Sequence, residues 1–313
     1  MRKTLLTLAA TLIAANSFSF ADDKVSIYGK ANVTFGQVEK GSTDELQLNS
    51  NASRLGVKGG HEIGEGLEAI FQMEFEVFLD DGNSSQSKGK DTLEQRNSFG
   101  GFKGAFGTII AGKHDTPVKL STAKIDRFND LVLGDIKNYM EGEDRPNNIL
   151  MYASPESNGF HALAAIVLAE DSNEDDGTSF SLNYSNDWIT TAVSRNDSLD
   201  SQDLTRFVAE FTVENTKIAL LLQRVDSVNG PASEDSWFVS GERKLSDGWK
   251  LKGQYGTTNY SSNYKDTQTT IGVDKKLSEL AKIFAYYSRI EHDMGSSSVD
   301  DSTFSVGFEI KFK

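Results

Sequence analysis

Apolar and polar residues alternate one for one along much of the chain. At its end, Phe304, Val306, Phe308, Ile310 and Phe312 fall on one side, with Ser305, Gly307, Glu309 and Lys311 on the other. Ile27, Gly29, Ala31, Val33 and Phe35 likewise oppose Tyr28, Lys30, Asn32 and Thr34, and Leu67, Ala69, Phe71, Met73, Phe75 and Val77 oppose Glu68, Gln72, Glu74 and Glu76. Trp249, Leu251, Gly253 and Tyr255 repeat the pattern against Lys250, Lys252 and Gln254. A strand turns residues i and i+2 to one face, so this periodicity predicts strands with one apolar and one polar side. The pattern predicts sixteen of them, near 24–37, 50–59, 67–79, 93–103, 107–114, 147–154, 159–169, 178–185, 187–196, 203–213, 216–226, 235–245, 248–258, 266–275, 281–291 and 302–312.

The connections alternate too. Gly104-Ala105-Phe106-Gly107, Ser185-Asn186-Asp187 and Ser246-Asp247-Gly248 are tight turns, whereas 38–49, 80–92, 170–177, 227–235 and 292–300 read as longer polar loops. Short turns at one end and long loops at the other describe an up-and-down barrel. A soluble sandwich would point its apolar faces inward. Here the polar faces are rich in charge, and sixteen strands enclose more space than side chains fill. The expected fold is therefore all-β, a sixteen-stranded antiparallel transmembrane β-barrel with apolar faces toward lipid and polar faces toward water. The longest apolar run after the N-terminus, Ala162–Ala169, is far short of the roughly 20 residues a membrane helix needs.

The first residues read as an export signal. Arg2 and Lys3 precede an apolar stretch from Leu5 to Ala15, and Ser19-Phe20-Ala21 supplies small residues for cleavage after Ala21. Residues 1–21 are thus expected to be a signal peptide and 22–313 the barrel. The chain has no cysteine, which excludes disulfide scaffolds, thiolate metal sites and cysteine nucleophiles. Its formal net charge of −14 argues against bulk binding to a phosphate backbone, so no nucleic-acid partner is expected.

One connection breaks the rhythm. Residues 115–146 form a segment too long for a passive loop. It mixes Ile125, Phe128, Leu131, Leu133, Ile136, Tyr139 and Met140 with Asp126, Asp130, Asp135, Glu141, Glu143 and Asp144. Such an apolar share fits a loop folded into the barrel, apolar residues on the wall and carboxylates toward the lumen.

Several motifs together resemble the Gram-negative trimeric general porins. Val25-Ser26-Ile27-Tyr28-Gly29-Lys30 is similar to the family's first strand. Arg54-Leu55-Gly56-Val57-Lys58-Gly59, followed by Gly64-Glu65-Gly66-Leu67-Glu68-Ala69, is similar to its second and third. Phe99-Gly100-Gly101-Phe102-Lys103-Gly104-Ala105-Phe106-Gly107 resembles the hairpin of strands four and five, and Asp115-Thr116-Pro117 the start of the constriction loop. Asn148-Ile149-Leu150-Met151-Tyr152-Ala153-Ser154-Pro155, with Gly159-Phe160, resembles the sixth strand and its turn. The resemblance implies a homotrimer in the outer membrane, with a third long loop that folds inward as an eyelet. It implies a basic pore wall at Lys30, Arg54, Arg96 and Arg145, facing acids on the loop. Lys30 and Arg54 also lie on the polar face by alternation. The strand around Arg96 alternates poorly, and Asn97 would face lipid or a subunit interface. The family's acidic pair has no matching motif; Asp126 and Asp130, with Asp135 next, are the candidates. The family typically ends on an aromatic residue, whereas Lys313 follows Phe312 here.

The implied function is passive diffusion of small hydrophilic solutes and ions through a water-filled channel, without cofactor, metal or enzymatic activity. The acidic balance favours cations and the basic wall opposes this. The alternatives are a porin selective for an anion, sugar or organic acid, and an outer-membrane barrel enzyme, for which no Ser–His pair is evident. His61, His114, His161 and His292 are scattered without metal-ligand spacing. Asp171–Gly177 resembles a calcium loop, but its glycine is one place late and Leu182 stands where the bidentate Glu belongs. A solvated outer loop is the plainer reading, with cation bridging to lipopolysaccharide the alternative. Trp188, Trp237, Trp249, Tyr255 and Tyr287 are candidates for interfacial aromatic girdles.

Overall fold

A computed structural model describes residues 25–82, 92–122, 125–170 and 175–313. The expected export signal, and the start of the Asp171–Gly177 segment, lie outside the described residues. The described residues form one antiparallel sheet of eighteen strand segments, closed where Ser26–Lys40 pairs with Ser298–Phe312, Gly29 opposite Phe312 and Lys40 opposite Asp301. Thr43–Ser50 and Arg54–Gly64 run on as one wall strand against Ser26–Lys40. Leu93–Gln95 and Ser98–Gly104 do the same against Leu67–Val77. The wall therefore has the sixteen positions expected.

Burial is inverted relative to a soluble barrel. In Ser298–Phe312, Phe304, Val306, Phe308 and Ile310 are 59, 46, 41 and 49% exposed, while Thr303 and Ser305 are buried. Ile27, Phe35, Met73, Leu251 and Ile271 are likewise exposed, and Asn32, Thr34, Glu74, Gln254 and Thr270 buried. Only lipid makes such an outer surface favourable, since exposing it to water would forfeit about 25 cal/mol per Å². Trp188, Trp237, Trp249, Tyr255 and Tyr287 are all outward and partly exposed, Trp237 lying 5.4 Å from the Tyr255 ring.

Two interruptions in the wall re-aim side chains. Val33 pairs with Ser50 and Lys30 with Arg54, so two residues oppose the three at 51–53. Phe75 pairs with Gln95 and Gln72 with Phe99, so two oppose the three at 96–98. Each is a β-bulge, and the extra residue reverses which parity faces the lumen. Leu46 and Leu48 thus point outward on even numbers, yet after Ala52, at φ 48°, the even-numbered Arg54 points inward and Leu55 outward.

Several expected loops prove to be strand. Residues 38–49 form a hairpin turning at Gly41–Ser42, with Lys40 opposite Thr43. Pairing also continues to Ser227 and from Ser233, and to Asp293 and from Ser298. Apart from Val38, Leu46, Leu48 and Val299, these extensions are polar. Backbone pairing continues past the apolar band, where charged and polar residues dilute the hydrophobic alternation. The tight turns at 104–107 and 185–187 are as expected; at the latter, the Asn186 side chain accepts from the Trp188 and Ile189 amides.

Candidate functional site: the loop inside the barrel

Between the Gly107–Lys113 and Ile149–Ala153 strands the chain leaves the wall and crosses the lumen. It contains a short helix, Pro117–Thr122, and a 3-10 turn, Ile136–Asn138. Its apolar residues do what the sequence suggests. Ile125, Ile136, Tyr139 and Met140 pack on the inward Ala192, Val208, Leu221 and Phe238, and Phe128 packs on Phe284 and Tyr286. The wall is adapted to receive them. Ile218 to Leu222 is apolar on both faces, because the inner face meets the loop rather than water. Gly272 makes room for Phe128, whose ring edge would sit 2.7 Å from an added Cβ.

The backbone of the loop is held by wall side chains around much of the circumference. Gln254 donates to the Gly134 carbonyl, Gln268 and Ser288 to that of Leu133, Tyr286 to that of Val132, and Ser240 to that of Ile125. Arg206, fully buried, donates to the Glu141 carbonyl at 2.6 Å, to Glu143 Oε1 at 2.9 Å, to Gln223 Oε1 at 2.6 Å and to the Thr122 hydroxyl. Gly142, at φ 90°, permits this approach, since a Cβ there would fall 2.6 Å from Arg206 Nη2. Burial pushes the Glu143 carboxyl up to about 7, although Arg206 and Lys119 pull it down.

The three candidate loop acids separate into two roles. Asp130, at φ 69°, accepts from Lys30 Nζ and Arg54 Nη2, both at 2.8 Å. Burial alone would raise its pKa, but Lys30, Arg54 and Arg96 outweigh that and hold it well below the carboxylate range. Asp126 and Asp135 do not face the lumen. Asp126 accepts from the Phe128 and Ile136 amides, and Asp135 caps the 3-10 turn through the Lys137 amide while also holding the Asp130 amide. Both shape the loop that presents Asp130. Burial, then the neighbouring Asp135, pushes Asp126 well above its ordinary value. Asp126, Asp130 and Asp135 thus turn to the loop or wall, rather than facing open lumen as the sequence suggested, while Glu141 is exposed.

The four basic candidates also divide. Lys30 and Arg54 bind the loop tip. Arg96 is buried and donates to Glu74 at 3.1 Å and to Glu76. Arg54 lies 3.7 Å from the same Glu74. Arg145 binds Asp115 at 2.9 Å and donates to the side-chain Oδ1 of Asn97 at 2.8 Å. Asn97 therefore faces inward, against expectation, because the bulge at 96–98 brings it to Asp115, to which its amide donates at 3.1 Å. Glu74 and Glu76 were visible in the alternation, but their partnership with Arg54 and Arg96 required the register. On the loop, the Lys137 side chain is 59% exposed; against a desolvation cost, Asp135, Asp130 and Glu76 raise it above the ordinary lysine value. Wall base and loop acid accordingly meet in direct contact at Asp130.

A lipid-facing barrel with charge inside and a loop folded across the lumen defines a membrane channel of the porin type. A family model described as Gram-negative porin matches residues 7–295, and the chain belongs to that family. It is 29% identical over 176 residues to outer membrane porin protein 32 of Delftia acidovorans, covering 52% of this chain and 48% of that one. It is 33% identical over 204 residues to a major outer membrane protein P.IB of Neisseria gonorrhoeae, covering 59 and 54%. The chain spans about half the length of the curated relatives it matches. Among solved structures, the anion-selective porin from Comamonas acidovorans superposes with a TM-score of 0.77 at 19% identity, covering 93% of this chain and all of that one. The trimer form of OmpT from Vibrio cholerae gives 0.74 at 17% identity, covering 93 and 99%. At these identities the structural likeness carries the fold alone.

Proposed function

We propose that the protein is an outer-membrane channel for passive diffusion of small hydrophilic solutes and ions, narrowed by residues 115–146. The observation that carries this reading is the loop inside an inverted barrel, joined to the wall through Asp130, Lys30 and Arg54. The loop tip, with Asp130 and Lys137, and the wall group Arg96–Glu74–Glu76 bound the constriction. Charges on low-dielectric walls concentrate the field there, so passage is limited by size and biased by charge. No bond is made or broken. Arg145 and Asp115 act at the root of the loop, where they fix its departure from the wall.

Residues 1–21 serve as the export signal in this reading, and 22–313 form the porin. The relatives' names and the trimeric neighbour support a homotrimer set in outer-membrane lipid and lipopolysaccharide. A selective channel is the second reading, favoured by the inward cations described below and by the name of the Comamonas neighbour. Single-channel recording in a planar bilayer tests the proposal. Large, long-lived current steps in groups of three are expected. Folded, inserted protein that passes no current would overturn it.

A further inference from the structure

The inner wall on the short-turn side of the loop carries a repeated ionic motif that meets the constriction only at Lys30. Four carboxylates project from it, and each lies between two cations. Glu210 lies 2.5 Å from Arg127 and 2.8 Å from Lys217. Glu242 lies 3.7 Å from Arg127 and 3.2 Å from Lys250. Asp274 lies 3.0 Å from Lys252 and 3.4 Å from Lys282. Glu309 lies 3.8 Å from Lys30 and 3.2 Å from Lys311. In every case one cation is deep and the other reaches the water. Arg127, Lys252 and Lys30 are 5, 6 and 15% exposed, whereas Lys217, Lys250, Lys282 and Lys311 are 33, 31, 32 and 52% exposed. Seven cations thus meet these four carboxylates, Lys30 also holding Asp130, along a rail that runs across neighbouring strands from Gln202–Val213 to Ser26–Lys40.

Sharing leaves the outer lysines under-compensated. Each ammonium has three donors, and its carboxylate is already engaged by the deeper cation. An arriving anion can take the free donors without stripping a buried group of its partner, which is the costly event in ionic sites. Lys282 pairs in register with Glu309, and Lys250 with Asp274, so outer lysines follow one another at strand spacing, about 5–10 Å. A cavity of about 260 Å³ opens between Lys250, Lys282 and Lys311, with Asp274 and Glu309 in its wall. Among the described residues, the opposite mouth carries inward acids. Glu234, Asp266 and Asp301 face inward there, and His292 lies between Asp266 and Asp301 at 2.7 and 3.8 Å.

We propose that the rail is a binding track for small anions carrying two or more negative charges, such as phosphates and polycarboxylates, loaded from the short-turn side. A multivalent anion bridges successive lysines; a monovalent one satisfies a single site. The acidic far mouth makes loading one-sided. This inference rests on the channel reading and names the solute class that the channel favours.

The test is side-specific block in a planar bilayer. The chain has no cysteine, so Ser297→Cys with an impermeant thiol reagent marks the loop side of each inserted channel. Pyrophosphate and citrate in the short-turn compartment should reduce the chloride current at a concentration at least tenfold lower than from the loop side. Acetate should not distinguish the sides. The triple change Lys250→Gln, Lys282→Gln, Lys311→Gln should weaken block at least tenfold, and Lys311→Gln alone at least threefold should the triple variant not fold. Glu234→Gln on the opposite mouth should reduce the sidedness. Equal block from both sides, or block that survives the lysine changes, would overturn the rail while leaving a conducting channel. Absence of current from inserted protein would instead count against the channel itself. Block by pyrophosphate but not citrate would overturn the general anion class.

Discussion

Replacing Asp130 by Asn removes the one loop charge that both Lys30 and Arg54 hold. Asn keeps the shape, and it tolerates the left-handed backbone at φ 69°, so the change is electrostatic rather than conformational. The Asp135 bond to the backbone amide of residue 130 is retained. One unit of positive charge is then uncompensated beside the passage. In water, a unit charge acting at about 8 Å is worth about 0.5 kcal/mol for each ion. An anion gains this and a cation loses it, so the anion-to-cation permeability ratio should rise about fivefold in dilute salt. The gain should shrink as salt shortens the Debye length toward about 3 Å at 1 M. Reversal potentials in a potassium chloride gradient read the ratio directly. A folded variant with an unchanged reversal potential at low salt would show that Asp130 does not border the ion path, and would refute the reasoning.

Arg206→Met should loosen the loop, because Glu143 and the Glu141 carbonyl lose their buried donor; breaking such a pair costs about 3–5 kcal/mol, measurable as a lower thermal unfolding midpoint and as noisier single-channel current. Glu143 has a raised folded pKa, so its stabilising contribution is fully present below the ordinary value of 4.5 and is lost as pH rises through about 7. Glu143→Gln should therefore flatten the fall in stability that the parent shows between about pH 4.5 and pH 8, seen in denaturation at the two pH values. Replacing Arg96 and Arg145 by Gln should shift selectivity toward cations, since Glu74, Glu76 and Asp115 each lose an arginine partner; unchanged reversal potentials would remove both residues from the charge balance of the pore. Shortening the loop between Lys119 and Glu141 should raise unitary conductance. It should also lower stability, because Val208, Leu221 and Phe238 would face water. A shortened protein that folds and conducts as before would count against an obstructing loop.

The sequence by itself determined the barrel. Period-two alternation needs only neighbouring residues, and lipid on one side with water on the other writes that pattern into each strand. It also marked the inward loop, because Ile125, Phe128 and Ile136 require burial that a solvent-exposed connection cannot offer. Lys30 and Arg54 were legible for the same reason. The tertiary structure decided the rest. Asp126, Asp130 and Asp135 are alike in composition, and only the folded loop separates the carboxylate that meets Lys30 and Arg54 from those that tie its own backbone. Parity across 51–53 and 96–98 depends on bulges set by pairing with distant strands, so the inward turn of Asn97 could not be read locally. The shared carboxylates of the lysine rail depend on register between strands tens of residues apart. Charge identity is carried in the chain, but charge pairing is a property of the distances that closure of the barrel creates.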